Sequence, residues 1–442
     1  MSSPDIKSEL SVGTDKTIPH WHSPEGETLN ITSGNGAWVT DDEGNEYLDF
    51  LSQLYCVNAG HGNERINAAV RDQLDRIAYV SSSKRNDARA KLSARLAEVS
   101  PVDDASVFFS ISGSEANEAA IQLARAYTDS PKVLTRWRSY HGGTYGAASL
   151  TGDPSTRATV EEFAATSGTA RFLPPLPSCF DIDSPAELAE KAANHLEWVI
   201  RNEDPDSIAA LLTEPIGGTS GAYPAPPGYF ERVREICDEY DILLISDEVI
   251  TGFGRCGDWF GMGTEDVRPD MITFAKGVTS AYVPLAGVVA TGSLGDHFRE
   301  EGIEVGQTFA GHPLACAAGL AAMEEYENGL IENVQQLAPV LKSELRALEE
   351  KHAVVGDVHG RGFHWGVEFH DPQTGEPFVN PWADDGENPV PKTRHHAMDE
   401  GVLLGSGRPD IQNIISPPLC IDEADLKHGV SVLDDAIEAV FD

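Results

Sequence analysis

The chain predicts an α/β fold, a mostly parallel sheet covered by helices on both faces. Three observations carry this. Short apolar runs alternate along the sequence with longer helical stretches. One run, Ile242-Leu243-Leu244-Ile245, is apolar without interruption, as a central strand buried on both faces must be. Polar, glycine-rich segments follow three of the runs directly, at the strand ends where such sheets bind their ligands.

Taken in order, residues 1–30 are polar, contain Pro19, Pro24 and Gly26, and read as an arm lying on another part of the molecule. Residues 36–50 read as a hairpin that turns at Glu43-Gly44-Asn45. A short strand is expected over 105–110, and Ile111-Ser112-Gly113-Ser114 leads from it into a helix over 115–127. Further strands are expected at 132–135, 208–213, 242–246, 271–274 and 285–290, with helices at 185–201 and 228–239 between them. From about residue 330 the character changes to a charged-faced helix over 330–352, strands at 354–359, 366–369 and 411–416, and a closing helix over 421–442. The expected organisation is therefore an N-terminal arm and hairpin (1–70) belonging to a smaller domain, a large domain (71–329), and the remainder of the small domain (330–442). Residues 371–390, rich in Pro, Gly, Asp and Asn, read as a surface loop.

At 442 residues and 40% hydrophobic content, the chain can bury a large core, which excludes disorder along its whole length. Its 71 acidic residues against 32 basic ones leave a net charge of −39, which repels nucleic acid and anionic lipid. Self-repulsion of this size calls for screening, and near 1 M salt the Debye length is roughly 3 Å. The acidic coat thus reads as adaptation to a salty cytoplasm, the alternative being an acidic protein at ordinary ionic strength. The six cysteines, at 56, 179, 237, 256, 316 and 420, show no CxxC pairing, so neither a disulfide scaffold nor a structural metal site is expected. There is no apolar leader and no apolar run of membrane-spanning length, so a soluble, cytoplasmic protein is expected.

Lys276 stands out among only eleven lysines, because it directly follows the run Met271-Ile272-Thr273-Phe274-Ala275. A lysine at a strand end can hide its stem and present a partly desolvated amine, a nucleophile for carbonyl carbons. A snorkelling surface lysine is the ordinary alternative. Asp247 closes the preceding strand, where its carboxylate can either hold a cationic ring nitrogen or cap the turn at Glu248-Val249. Gly113-Ser114 opens a helix, a geometry that cradles phosphate and equally serves as an N-cap, with Ser112 or Ser114 as the capping residue. In Tyr140-His141-Gly142-Gly143 the aromatic ring can stack on a planar ligand or pack in the core.

Together, Ser112-Gly113-Ser114-Glu115-Ala116-Asn117-Glu118, Tyr140-His141-Gly142, Glu214-Pro215, Asp247-Glu248-Val249, Gly252-Phe253-Gly254-Arg255, Lys276-Gly277 and Thr308 with Gly311-His312-Pro313 resemble the class III, pyridoxal-phosphate-dependent aminotransferases over roughly residues 30 to 425. The resemblance implies fold type I of the pyridoxal 5'-phosphate (PLP) enzymes: a large domain with a mostly parallel seven-stranded sheet, plus a smaller α+β domain from the N- and C-terminal segments. It implies that Lys276 bonds the cofactor aldehyde and moves the proton between substrate carbon and cofactor. Asp247 then pairs with the pyridine nitrogen, and Val249 and Tyr140 take opposite ring faces, with His141 alongside. Gly113 and Ser114 hold the phosphate, Thr308 joins them from a partner subunit, and Glu214 orients groups near the ring hydroxyl. A homodimer, or a dimer of dimers, follows.

Within the family, Leu54-Tyr55-Cys56-Val57-Asn58-Ala59-Gly60-His61-Gly62 resembles the substrate-pocket segment of ω-amino acid:pyruvate aminotransferases, with Tyr55 where Trp is common. Ala281 replaces a frequent Gly and Cys256 a frequent Thr. Arg408-Pro409-Asp410 resembles the mobile arginine segment, whose guanidinium clamps a substrate carboxylate; a solvent-facing loop arginine is the alternative. The expected reaction passes an amino group from an ω-amino acid or primary amine to pyruvate or another 2-oxo acid by a ping-pong route. The alternatives are a glutamate-1-semialdehyde 2,1-aminomutase, which keeps one substrate throughout, and a 4-aminobutyrate:2-oxoglutarate aminotransferase. A catalytically inert protein on this fold is disfavoured by the intact Lys276 and Asp247.

Overall fold

The computed structural model describes residues 18, 20–21, 29–164, 168–379 and 386–441. Three strands open the chain: β1 (Ile31–Asn35), β2 (Trp38–Asp41) and β3 (Glu46–Asp49) form an antiparallel meander. The hairpin expected over 36–50 is β2–β3. Its turn is tied by the Asp41 carboxylate, which accepts from the backbone N–H of Glu43 and of Asn45 at 2.9 and 2.8 Å. The arm expected over residues 1–30 lies largely outside the described residues.

The seven-stranded sheet follows: β4 (Ser106–Ser110), β5 (Lys132–Arg136), β6 (Thr169–Phe172), β7 (Ile208–Thr213), β8 (Leu243–Asp247), β9 (Met271–Phe274) and β10 (Ala286–Ala290). Its order is β4-β10-β9-β8-β7-β5-β6. Neighbours from β9 through β6 run parallel, and β10 alone is antiparallel to its neighbours β4 and β9. All six residues of β7 and the last four of β8 are buried, as the uninterrupted apolar run requires. Strand β6 escapes a reading by pattern because Thr169-Ala170-Arg171-Phe172 holds one fully buried side chain and no apolar run.

The helices that cover the sheet are sealed at their starts by local chemistry. Asn63 and Asn86 accept from the backbone N–H groups of Ile66 and Arg89, so the helices Glu64–Arg76 and Asp87–Val99 begin there. Helix Pro313–Glu325 runs on through Tyr326–Leu330, where Asn328 and Gly329 leave helical geometry, into Ile331–Lys351.

The C-terminal strands are β11 (Val355–Arg361), β12 (His364–Phe369), β13 (Val402–Leu403), β14 (Gly405–Ser406) and β15 (Gln412–Ile415). Four of them make a sheet in the order β11-β12-β15-β14, while β13 adds to β3 in parallel. The chain's two ends therefore share a sheet, and smaller sheets from both ends sit beside the large one. The short β13 and β14, and the helix Val390–Asp399, were not visible in the sequence pattern.

Arg255 binds these parts together. Fully buried in the loop after β8, its guanidinium donates to Ser52 Oγ (3.0 Å), Asn58 Oδ1 (2.8 Å), the Phe363 carbonyl (3.2 Å) and the Pro417 carbonyl. Burial without a carboxylate partner pushes it down to about 10. Truncation in Arg255→Ala strands four buried acceptors, each costing about 1–3 kcal/mol when unsatisfied. We expect the thermal unfolding midpoint of the holoprotein to fall by several degrees, and an unchanged midpoint would refute the account.

Candidate active site

Each predicted site residue of the large sheet follows a strand at its carboxyl end. Gly113 comes after β4 and Tyr140 after β5, Glu214 leaves β7, Asp247 closes β8, and Lys276 stands two residues beyond Phe274 of β9. Because these strands run in one direction, their ends converge on one rim. Between them lies a cavity of about 190 Å³ lined by Gly113, Ser114, Tyr140, His141, Glu214, Asp247, Val249 and Lys276.

One end of the cavity is an anion cradle. Helix Gly113–Thr128 begins there with Ser112 as its cap, Ser112 Oγ accepting from the Glu115 N–H at 3.3 Å. The Glu115 carboxylate accepts in turn from the Ile111 N–H at 3.3 Å, and the N–H groups of Gly113 and Ser114, in the helix's first turn, have no partner within the helix. Ser114 Oγ accepts from the Gly143 N–H at 3.1 Å. Gly142 closes over it with φ of +135°, and a Cβ there would lie 2.3 Å from Ser114 Oγ. Close backbone packing is thus enforced around the spot where a phosphate would sit.

The opposite end is a buried carboxylate. Asp247 Oδ2 accepts from His141 Nδ1 and Asn117 Nδ2, both at 2.8 Å, and Oδ1 accepts from the Val249 N–H at 3.1 Å. The turn-capping role considered for Asp247 is therefore real and coexists with its place in the cavity wall. Since a carboxylate offers about four acceptor sites, three donors leave one for a ring N–H. His141 Nε2 is buried with no partner among the described residues.

Between the two ends stands Lys276, held at φ of +47° as the chain turns off β9. Burial lowers its amine from the ordinary lysine range, against the pull of Cys56, Asp247 and Glu214. Its Nζ lies 5.7 Å from the ring centre of Tyr55. Tyr55 is buried, meets His364 edge-on at 5.6 Å, and has its phenol pushed up to about 12 by desolvation.

Glu214 reaches the cavity with both oxygens engaged, Oε2 by Arg136 Nη2 and Oε1 by the Gly218 N–H, each at 3.0 Å. Burial raises its carboxyl and Arg136 opposes the rise. Arg408 stands outside the cavity in an adjoining cleft, its guanidinium 5.5 Å over the ring of Tyr140. Tyr140 and Trp21 line both spaces. Thr308 is the one predicted cofactor residue that the protomer does not bring to its own cavity: it is exposed, and its carbonyl accepts from Tyr79 Oη at 2.9 Å.

Sequence reasoning gave no role to Asn117 or Arg136. Asn117 lies one helical turn beyond Gly113 and joins Asp247, the His141 carbonyl (2.8 Å) and Thr273 Oγ1 (2.7 Å). Its four-residue spacing from Gly113 was the available signal. Arg136 ends β5 but looked like any strand-end cation until Glu214 and the Tyr223 ring, 4.9 Å away, surrounded it.

A lysine between an anion cradle and a buried acceptor, on the rim of this sheet, fits a phosphorylated pyridine aldehyde, and fold and site together define a PLP-dependent enzyme of fold type I. Comparison with known proteins specifies which. The family model for aminotransferase class III matches residues 21–437, and the chain belongs to that family. A probable aminotransferase of Mycobacterium tuberculosis is 39% identical over 353 residues, covering 77% of this chain and 74% of that protein. A taurine:2-oxoglutarate aminotransferase from Bifidobacterium kashiwanohense, solved with PLP and glutamate, superposes with a TM-score of 0.92 at 34% identity, covering 98% of this chain and 99% of that one. An (S)-enantioselective ω-transaminase from Thermomicrobium roseum gives 0.87 at 33% identity, covering 96% and 97%. The protein is a PLP-dependent aminotransferase acting between amines and 2-oxo acids. No helix among the described residues is long and apolar enough to cross a membrane.

Substituting Gly142→Ala forces a side chain onto Ser114 Oγ at a backbone angle that disfavours one. PLP titration of the apoprotein should show affinity about tenfold weaker or worse, whereas unaltered affinity would remove Gly142 from the cradle.

Proposed function

We propose that the enzyme takes the amino group of an ω-amino acid or primary amine and passes it to pyruvate or another 2-oxo acid, in two half-reactions that alternate at one site. The observation that carries this reading is that Lys276 lines the cavity while Arg408 lines a cleft that shares Tyr140 and Trp21 with it, which pairs an amine inside with a guanidinium in the adjoining space. PLP, when bound, supplies an electron sink for the bond that must break at the amine-bearing carbon.

The residues divide the remaining work. Lys276 Nζ would hold the cofactor aldehyde, and burial lowers its amine from the ordinary lysine range, which suits a group that takes a proton from the donor carbon and returns one. Asp247, braced by His141 and Asn117, would keep a proton on the ring nitrogen. The N–H groups of Gly113 and Ser114 would bind the phosphate, with Val249 and Tyr140 in the wall on either side of the ring. Glu214, anchored by Arg136 and Gly218 with acceptor capacity left on both oxygens, would orient groups near the ring hydroxyl. Tyr55 bounds the donor's tail.

The active unit is a homodimer. Tyr79 and Phe309, 42% and 54% exposed, meet edge-on at 6.1 Å beside Thr308, and together they offer an apolar surface that a partner would cover. Thr308 would then reach the partner's phosphate cradle. Sedimentation equilibrium returning only a 47.6-kDa species would rule this out.

Two experiments test the chemistry. Donor alone should convert the cofactor stoichiometrically to its pyridoxamine form with release of an oxo product, and Lys276→Ala should abolish the conversion. An aminomutase would release none. With pyruvate as acceptor, Arg408→Ala should raise KM by roughly 10- to 100-fold, the worth of a charge-assisted carboxylate contact. A panel of β-alanine, 4-aminobutyrate, taurine and simple amines against pyruvate and 2-oxoglutarate then identifies the substrates.

A further inference from the structure

Arg408 does not meet its cleft as an isolated cation. Its Nη1 donates to Thr156 Oγ1 at 3.0 Å and stands 3.7 Å from Asp153 Oδ2. Thr156 Oγ1 in turn donates to Asp153 Oδ2 at 2.7 Å, so one hydroxyl bridges cation and carboxylate. Asp153 is held firmly. It caps the short helix Pro154–Ala158, Oδ2 accepting from the Thr156 N–H at 2.9 Å and from Ser155 Oγ at 2.7 Å. Its side chain is 10% exposed against 32% for Arg408. Asp153, Thr156 and Arg408 line the cleft that Tyr140 and Trp21 join to the cavity.

A fixed carboxylate inside a substrate cleft acts differently on different substrates. One that brings its own carboxylate to Arg408 must share the guanidinium with Asp153 and lie beside a like charge. A neutral tail meets neither demand. We propose that Asp153 is a specificity-determining residue, a built-in competitor for Arg408 that disfavours carboxylate-bearing substrates relative to uncharged ones and so sets the balance between ω-amino acids and simple amines. This rests on the reading of Arg408 as the residue that engages substrate carboxylates.

The holoenzyme tests it with donors of matched length, 4-aminobutyrate and butylamine, through the ratio of their kcat/KM values. Asp153→Asn and Asp153→Ser remove the charge and keep a helix-capping oxygen. In both, the acid-to-amine ratio should rise about fivefold, the worth of a partly exposed ion pair. Calorimetric binding of butanoate, which has the carboxylate and no amine, should tighten by a similar factor. Arg408→Ala should lower both quantities. If it does, and neither Asp153 variant raises them, the competitor role is wrong while the Arg408 reading stands. If Arg408→Ala leaves both unchanged, the two fall together. Cofactor absorbance retained at full occupancy in each variant distinguishes these outcomes from a damaged fold.

Discussion

A carboxylate buried at the end of a central strand is the constraint around which the site is organised. Taking Asp247 out of water costs several kcal/mol unless donors replace the lost solvent. Those donors come from the loop after β5 (His141), the helix after β4 (Asn117) and the chain just past β8 (Val249). Satisfying one oxygen pair therefore locks three connections against one another. Asn117 extends the lock to β9 through Thr273, three residues before Lys276. The positions of carboxylate and amine are set by the same hydrogen-bonded unit, which is what a site spanning both ends of one ring requires.

Two other buried cations show how the rest is held. Arg136 and Glu214 neutralise each other beneath the cavity wall, and the Tyr223 ring covers the guanidinium. Arg255 has no such partner and is satisfied by carbonyl, amide and hydroxyl oxygens from sequence-distant segments, at 52, 58, 363 and 417. These bonds put the small sheets against the large one in a single arrangement. Tyr55 and His364, from opposite halves of the chain, meet as part of it. The surroundings of Tyr55 are thus a property of how the parts are joined, whereas the protomer's own cavity walls around Asp247 and Lys276 come from the strand ends of the large sheet.

The sequence by itself determined the alternation of strands and helices, the central place of β8, and the strand-end positions of Asp247 and Lys276. Each follows from a local pattern, an apolar run or a helix start, that the chain carries whatever its neighbours are. The resemblance of motifs added the cofactor and the reaction. Only the tertiary structure decided which polar groups meet. Asn117 reaches Asp247 across 130 residues, Asp153 faces Arg408 across more than 250, and Glu214 is anchored by Arg136 and Gly218. Strands as short as β13 and β14 have too few side chains to show a period, β6 lacks an apolar run, and pairing across distant segments leaves no trace in local order. Hydrogen bonds and ion pairs act over a few ångströms of space, and it is the folded path, not distance along the chain, that brings their partners within that reach.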